Sequence, residues 1–127
     1  MKDFDTWNDL KKSLQTAAEK QFHFCEREIW WCSLGNNLGY EQDGKNLLYE
    51  RPVLIFKKFN KYVSWVLPLT SKNRTGKYYA EIIHGGHTST VLLSQLRLIS
   101  SKRLNRIMGK ISAFQFSKIR ELLLALL

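Results

Sequence analysis

The sequence predicts a mainly β protein with some α, built as a small, strongly curved barrel on which helices pack. Three observations lead to this fold class. Short runs rich in aromatic and β-branched residues recur along most of the chain, glycine- and proline-containing segments separate them, and helical periodicity is confined to the two ends. The chain has 127 residues, of which 44% are hydrophobic, and this suits one domain with a sizeable core.

The chain opens with a predicted helix. Apolar residues recur there at three- and four-residue spacing, and Asp5 or Thr6 can cap the first turn. The apolar stripe consists of Trp7, Leu10, Leu14, Ala17, Ala18 and Phe22. We interpret residues 1–26 as an N-terminal helical extension that packs on the main domain, residues 27–127, or on a partner.

Seven β-strands are predicted in the middle of the chain. They cover residues 28–34, 51–56, 62–68, 78–84, 89–93, 97–99 and 106–111. The polar, glycine-containing residues 35–50 are expected to form a long surface loop, and loops of that length are usually functional. Pro52 and Pro68 are expected at the start of one strand and the end of another, where a missing N–H is tolerated. Gly85-Gly86 predicts a hairpin turn.

The C-terminal segment is predicted to form a helix. Ser112 is a suitable cap, and Gln115 follows it at the spacing of a capping box. The stripe expected to be buried consists of Ile119, Leu122, Leu123 and Leu126. Leu124 and Leu127 lie partly outside that stripe, which suggests a second buried contact such as a dimer interface.

The basic charge is concentrated in the barrel region. The whole chain has 20 Lys+Arg and 11 Asp+Glu, a formal net charge of +9. Residues 1–34 contain five basic and six acidic side chains and sum to −1, whereas residues 35–127 contain fifteen and five and sum to +10. A field of one sign favours a polyanion such as nucleic acid, because each neutralised phosphate releases counterions. The alternative is a solvated basic face that serves solubility.

Several other classes of protein are disfavoured. No run approaches the roughly 18 apolar residues of a membrane span, and the first residues are too polar for a secretory signal. Cys25 and Cys32 are too few for a disulfide framework and lack CxxC spacing, so we expect a reduced, cytoplasmic protein. His84 and His87 flank the glycine turn without further ligands nearby in sequence, so neither a metal nor another cofactor is expected. The common hydrolase and nucleotide-binding motifs are absent.

Polar residues near predicted strand ends are the candidates for chemistry. Arg51 begins the second strand, Thr70-Ser71 follows the third, and Glu41-Gln42 lie in the long loop. An arginine held by a following proline and strand can present its planar donor fork to a phosphate, which a threonine hydroxyl on a neighbouring strand can share. The structural alternative is that Arg51 pairs with Glu50 or Glu41 and that Thr70 satisfies a turn.

Five sequence blocks in this order resemble the MazF/PemK family of toxin–antitoxin ribonucleases. The blocks are Glu28-Ile29-Trp30-Trp31, Gly39-Tyr40-Glu41-Gln42-Asp43-Gly44, Arg51-Pro52-Val53-Leu54, Pro68-Leu69-Thr70-Ser71 and Val91-Leu92-Leu93-Ser94-Gln95-Leu96-Arg97. The resemblance implies a CcdB/PemK-type barrel related to the SH3 fold, to which the N-terminal helix is an addition. It also implies a homodimer, metal-independent cleavage of single-stranded RNA and neutralisation by a cognate antitoxin.

The resemblance also implies roles for individual residues. Arg51 and Thr70 correspond to the catalytic pair, which promotes attack of the RNA 2′-hydroxyl on the adjacent phosphorus and leaves a 2′,3′-cyclic phosphate and a 5′-hydroxyl. Residues expected to contact RNA are Tyr40, Glu41, Gln42, Ser71, Lys72 and Arg97. No histidine occupies a motif position, so the resemblance names no general base.

Two other function classes stay open at this level. One is a catalytically silent barrel that binds RNA or DNA through the basic face. The other is a CcdB-like toxin that acts on a protein target such as the topoisomerase gyrase. Dependence of RNA cleavage on Arg51 and Thr70 separates both from the ribonuclease.

Overall fold

The computed structural model describes residues 23–34 and 50–127. Within these ranges the mainly β architecture with a C-terminal helix is confirmed. The helix expected near the start of the chain, and the loop residues Tyr40, Glu41 and Gln42, lie outside the described residues. No helix in the described ranges is both long and apolar enough to cross a membrane.

All seven predicted strands are present. They are β1 (Glu28–Ser33), β2 (Glu50–Lys58), β3 (Val63–Thr70), β4 (Tyr79–His84), β5 (His87–Leu92), β6 (Arg97–Ser100) and β7 (Leu104–Lys110). The helix α1 covers Ala113–Ala125, and short 3-10 helices cover Leu93–Gln95 and Ser101–Arg103. The second of these leads into β7, and its N-cap Ser100 accepts a hydrogen bond from the backbone N–H of Lys102.

The strands form one antiparallel sheet in the order β4-β5-β3-β2-β1-β7, and β6 pairs with β3. β4 and β7 stand at opposite ends of this order, yet they come close in space. A Cβ added to Gly109 of β7 would lie 3.8 Å from Nδ1 of His84 on β4. The sheet therefore curls until its two edges approach each other, as the barrel prediction requires.

The two prolines lie inside strands, so their predicted terminal positions are wrong. Pro52 pairs with Trp31 of β1. It directly precedes Val53, where the ladder between β2 and β3 begins along β2, so Pro52 lies outside that ladder. Pro68 lies between the part of β3 that pairs with β6 and the part that pairs with β5. A missing N–H is tolerated at both positions because the hydrogen-bond ladder changes partners there. The pairing between β2 and β3 therefore ends at Val53 and Pro68.

Apolar side chains pack on both faces of β1 and β2. Ile29 and Leu54 belong to a core beneath α1, whereas Trp30 and Val53 belong to a second core on the opposite face. The second core includes Phe24, which precedes β1. Burial on both sides explains why these strands are continuous apolar runs rather than strict alternations. It also fixes the position of β2, which carries Arg51.

The helix α1 closes one side of the barrel. Ser112 caps it, since its Oγ accepts the backbone N–H of Gln115 at 3.1 Å. Ile119 is buried, and the other three residues of the predicted stripe pack partly buried against the first core. The side chain of Gln115 makes a different contact from the one the capping-box spacing suggests. Its amide pairs with the backbone of Ile83, accepting at 2.7 Å and donating at 3.0 Å, which ties α1 to the edge strand β4.

Candidate active site

A cleft of about 540 Å³ opens where β3 parts from β2. Arg51 of β2 and Thr70 of β3 both line it, so the fold brings together the two residues predicted to form the catalytic pair. The remaining lining residues come from β1, β2, β3 and its following turn, the β4–β5 hairpin, and β7: Trp31, Glu50, Pro52, Leu69, Ser71, Lys72, His84, His87, Thr88, Ser89 and Met108.

Thr70 is held firmly at the end of β3. Its backbone pairs with Thr90 of β5, its side chain is buried, and its Oγ1 accepts the backbone N–H of Lys72 at 3.2 Å. The expected structural role in a turn is therefore present. A hydroxyl that accepts one hydrogen bond still carries its own proton and a second lone pair. Thr70 is thus suited to hold an anionic group in the cleft.

A buried carboxylate fixes the backbone next to Arg51. Glu50 accepts hydrogen bonds from Nδ2 of Asn105 at 2.7 Å and from Nη1 of Arg106 at 2.8 and 3.1 Å. The Arg106 guanidinium lies 5.0 Å from the ring centroid of Trp31, which is also a cleft residue. These contacts join β7 to the start of β2 and compensate the charge of Glu50, the only carboxylate among the described residues that line the cleft.

Two histidines of the cleft were missed as catalytic candidates by sequence reasoning. His84 and His87 pair across the β4–β5 turn, in which Gly85 and Gly86 have φ values of 54° and 79°. The spacing predicts this turn, and the curled sheet places its two histidines in the same cleft as Arg51. The local signal is the pair of imidazoles flanking the turn, for which the sequence suggests only a metal-ligand role.

The environments of the two imidazoles differ. His84 is 6% exposed and its Nε2 lies 3.0 Å from Oγ of Ser89, whereas His87 is exposed. The ring centroids are 6.4 Å apart. Burial, and secondly the positive charge that His87 can carry, lower the pKa of His84 from its ordinary value. His84 is therefore neutral at neutral pH.

Of the other described residues predicted to contact RNA, two line the cleft and one does not. Ser71 and Lys72 are exposed and line the cleft beside Thr70. Arg97 pairs with Val66 in the β6–β3 ladder and is not among the residues that line this cleft. Its charge acts near Cys32, whose pKa burial raises to about 12 while Arg103 and Arg97 oppose the shift. Cys32 is consequently a protonated core thiol, and Cys25 is likewise free of any disulfide.

The described part of the chain contains no cluster of potential metal ligands. Among residues 23–34 and 50–127, no group of three or more His, Cys, Asp or Glu side chains is arranged to hold a metal ion.

Comparison with known protein families shows to which family the chain belongs. The model of the PemK-like, MazF-like toxins of type II toxin–antitoxin systems matches residues 26–127. The chain belongs to this toxin family. None of the curated proteins searched is significantly similar to this MazF-like toxin.

Solved structures share the fold. MazF from Deinococcus radiodurans superposes with a TM-score of 0.68 at 19% identity, covering 84% of this chain and 97% of that one. The same organism's MazE–MazF complex gives 0.65 at 17% identity, with 84% and 96% covered. An endoribonuclease in complex with its cognate antitoxin, from a mycobacterial species, gives 0.62 at 17% identity, with 81% and 93% covered. These matches confirm the predicted fold class.

The cleft of this MazF-like toxin is suited to bind an anion. Arg51 and Lys72 supply positive charge, Thr70 supplies a buried hydroxyl, and the Glu50 carboxylate is compensated by Arg106. A planar guanidinium and a hydroxyl at one site match the oxygens of a phosphate group. The arrangement can therefore hold a phosphodiester and stabilise additional negative charge on it.

Proposed function

We propose that this MazF-like toxin is an endoribonuclease that cleaves single-stranded RNA without a metal ion. The single observation that carries the proposal is the placement of Arg51 and Thr70 in one cleft, at the point where β2 and β3 separate. Family membership supports the same activity, since the MazF-like toxins include proteins described as endoribonucleases.

The proposed reaction is an internal transesterification. The 2′-hydroxyl oxygen attacks the adjacent phosphorus, an O2′–P bond forms, and the P–O5′ bond breaks. The products are a 2′,3′-cyclic phosphate and a 5′-hydroxyl end. Negative charge grows on the non-bridging oxygens as the new bond forms, so fixed donors aimed at them stabilise the transition state more than the ground state.

Arg51 and Thr70 have complementary roles in this proposal. Arg51 donates hydrogen bonds to the non-bridging oxygens, and Thr70 holds the phosphate or the attacking hydroxyl in line. The ion pair between the buried Glu50 and the exposed Arg106 keeps the start of β2 in place, which fixes the backbone from which Arg51 extends. Pre-ordering of this kind reduces the entropic cost of reaching the transition state.

The RNA strand is proposed to run past the cleft over Ser71 and Lys72, which are exposed at its edge. The motif residues Tyr40, Glu41 and Gln42 are proposed to contact the same strand, with Tyr40 stacking on an unpaired base. Arg97 is proposed to add phosphate contacts outside the cleft rather than within it.

A cognate antitoxin and a second copy of the chain are the proposed protein partners. Two of the structural neighbours are toxins in complex with an antitoxin. A formal net charge of +9 suits an acidic, initially disordered antitoxin segment that lies where RNA would lie. The division into a helical extension, residues 1–26, and a barrel domain, residues 27–127, is part of the same proposal.

The test is an RNA cleavage assay in EDTA with identification of the product ends. Wild-type protein is compared with Arg51→Ala and Thr70→Ala, and with Arg120→Ala as a matched loss of an exposed positive charge on α1. We expect cleavage to cyclic phosphate ends by wild type and Arg120→Ala, and a loss of at least about 100-fold in kcat for Arg51→Ala.

Two results would contradict the proposal. If every protein binds RNA and none cleaves it, the chain is a binding barrel. If cleavage requires a divalent ion, or proceeds equally well without Arg51, the site lies elsewhere.

A further inference from the structure

The cleft contains two imidazoles for which the Arg51–Thr70 mechanism has no use. A transesterification needs a group that removes the 2′-hydroxyl proton, and histidine is the side chain best suited to this near neutral pH. An arginine is a poor base because its guanidinium stays protonated. The sequence motifs contain no histidine, whereas the folded chain places His84 and His87 in the cleft with Arg51 and Thr70.

The β4–β5 hairpin holds these two rings in fixed positions. His84 and His87 are cross-strand partners, and the two intervening glycines adopt the positive φ values that a tight turn requires. Next to its turn, the hairpin is tied to α1 through Gln115, which pairs with both backbone groups of Ile83. A hairpin anchored in this way presents its tip to the cleft without a large entropic cost.

The two histidines have different access to a substrate. His84 is 6% exposed, and its Nε2 is engaged with Ser89 at 3.0 Å. His87 follows the turn, is exposed, and lines the same cleft as Arg51. Of these two histidines, His87 has the ring that RNA can reach directly. The His84 ring lies 6.4 Å from it, measured between ring centroids.

We propose that His87 is the general base of this toxin. The assignment rests on the proposed ribonuclease function and deepens it. In the reaction step, an imidazole nitrogen of His87 takes the proton from the 2′-hydroxyl as O2′ bonds to phosphorus. The P–O5′ bond breaks with its electron pair on O5′, which takes a proton from water, and His87 then releases its proton to solvent.

The neighbouring imidazole adds no positive charge beside His87. Burial and the neighbouring His87 lower the pKa of His84, which therefore remains neutral. A neutral His84 does not repel the positive charge that His87 acquires when it accepts the proton.

The first test compares wild type, His87→Ala and His23→Ala in the EDTA cleavage assay across a range of pH. His23 is exposed and is not a cleft residue, so it is the matched histidine control. We expect His87→Ala to lose at least about 100-fold in kcat, a typical contribution of general base catalysis, while its affinity for non-cleavable 2′-O-methyl RNA is retained. The rise of kcat/KM with pH on the acidic side should be present in wild type and absent in His87→Ala.

Chemical rescue distinguishes a base from a structural residue. Added imidazole should restore part of the activity of His87→Ala and none of the activity of Arg51→Ala. His87→Ala activity equal to wild type, or a slow variant that keeps the acidic limb and shows no rescue, overturns the assignment while the ribonuclease function stands. A wild-type protein that does not cleave RNA overturns the proposed function, and this assignment with it.

Discussion

At the scale of single residues, Glu50 shows how a buried charge can support a neighbouring functional side chain. Glu50 is 5% exposed, accepts hydrogen bonds from Asn105 and Arg106, and directly precedes Arg51 in β2. A buried carboxylate is tolerated when charge-assisted hydrogen bonds compensate the lost hydration. Its removal should therefore affect stability as well as the geometry of the cleft.

We expect Glu50→Ala to lower the free energy of unfolding by about 1–3 kcal/mol, because Asn105 and Arg106 lose their acceptor. Urea denaturation measures the change. Glu81→Ala is the control, since Glu81 is an exposed acidic residue of β4. Equal stability of the two variants would show that the buried carboxylate contributes nothing.

The pH dependence of stability should reveal the burial of His84. Its pKa is lowered in the folded protein from the ordinary value of 6.5, so the unfolded chain binds more protons as the pH falls below that value. The stabilising contribution is therefore complete above pH 6.5 and is lost as the pH falls through the window between the unfolded and the lower folded pKa.

Denaturation of wild type and His84→Asn on either side of pH 6.5 tests this sign. We expect wild type to lose more stability on acidification than the variant, whose amide has no pKa in this range. An identical loss in both proteins would assign the acid sensitivity to other groups.

The sequence points to Arg51 and Thr70 as candidate site residues but not to the two histidines. The reason is the sequence separation over which each signal acts. Arg51-Pro52 and Thr70-Ser71 are local motifs next to strand ends, which a pattern can reveal. His84 and His87 are brought to the cleft by the curvature of the whole sheet, which brings β4 near β7. The sequence predicts a curved barrel but not which strands meet in it, because that depends on contacts between distant residues.

At the scale of elements, the contact between α1 and β4 is the clearest departure from the local pattern. The predicted capping box was half right, because Ser112 caps the helix while the Gln115 amide binds the backbone of Ile83. The side chain was free to do this because β4 is an edge strand with backbone groups to satisfy. Edge positions are not visible in a single sequence.

Gln115→Ala should loosen this junction. We expect a loss of about 1–3 kcal/mol for two hydrogen bonds, and faster amide hydrogen exchange at Ile83. Ser117→Ala, an exposed position on the same helix, is the control. Unchanged exchange at Ile83 in Gln115→Ala would mean that the amide contact does not protect the strand.

The strand boundaries were predicted within a few residues, but the positions of the prolines were not. Pro52 and Pro68 were expected at strand ends, as a missing N–H usually requires. Both lie inside strands, at the point where the β2–β3 ladder ends with Val53 and Pro68. The candidate active site lies beyond this point, since its lining includes Glu50, Arg51, Leu69 and Thr70.

At the scale of the whole molecule, the basic charge and the cleft act together. The positive field of the barrel region can attract a polyanion over a distance set by salt, whereas in the proposed mechanism Arg51 and Thr70 act only on the phosphate that reaches the cleft. Binding and cleavage should therefore respond differently to ionic strength.

Affinity for single-stranded 2′-O-methyl RNA should fall steeply with salt. If about three phosphates are neutralised, a fourfold increase in salt should raise Kd roughly 20-fold, since each contact contributes about 0.7 to the slope of log K against log salt. Fluorescence anisotropy at several salt concentrations measures this slope. A slope near zero would contradict an electrostatic RNA interface.

The most direct test of the central claim is incubation of the wild-type toxin in EDTA with one single-stranded RNA and with its fully 2′-O-methylated counterpart. The proposed chemistry uses the 2′-hydroxyl as the nucleophile, so we expect the RNA to be cut to 2′,3′-cyclic phosphate and 5′-hydroxyl ends and the methylated strand to stay intact. Cleavage of both strands, or of neither, would contradict the account.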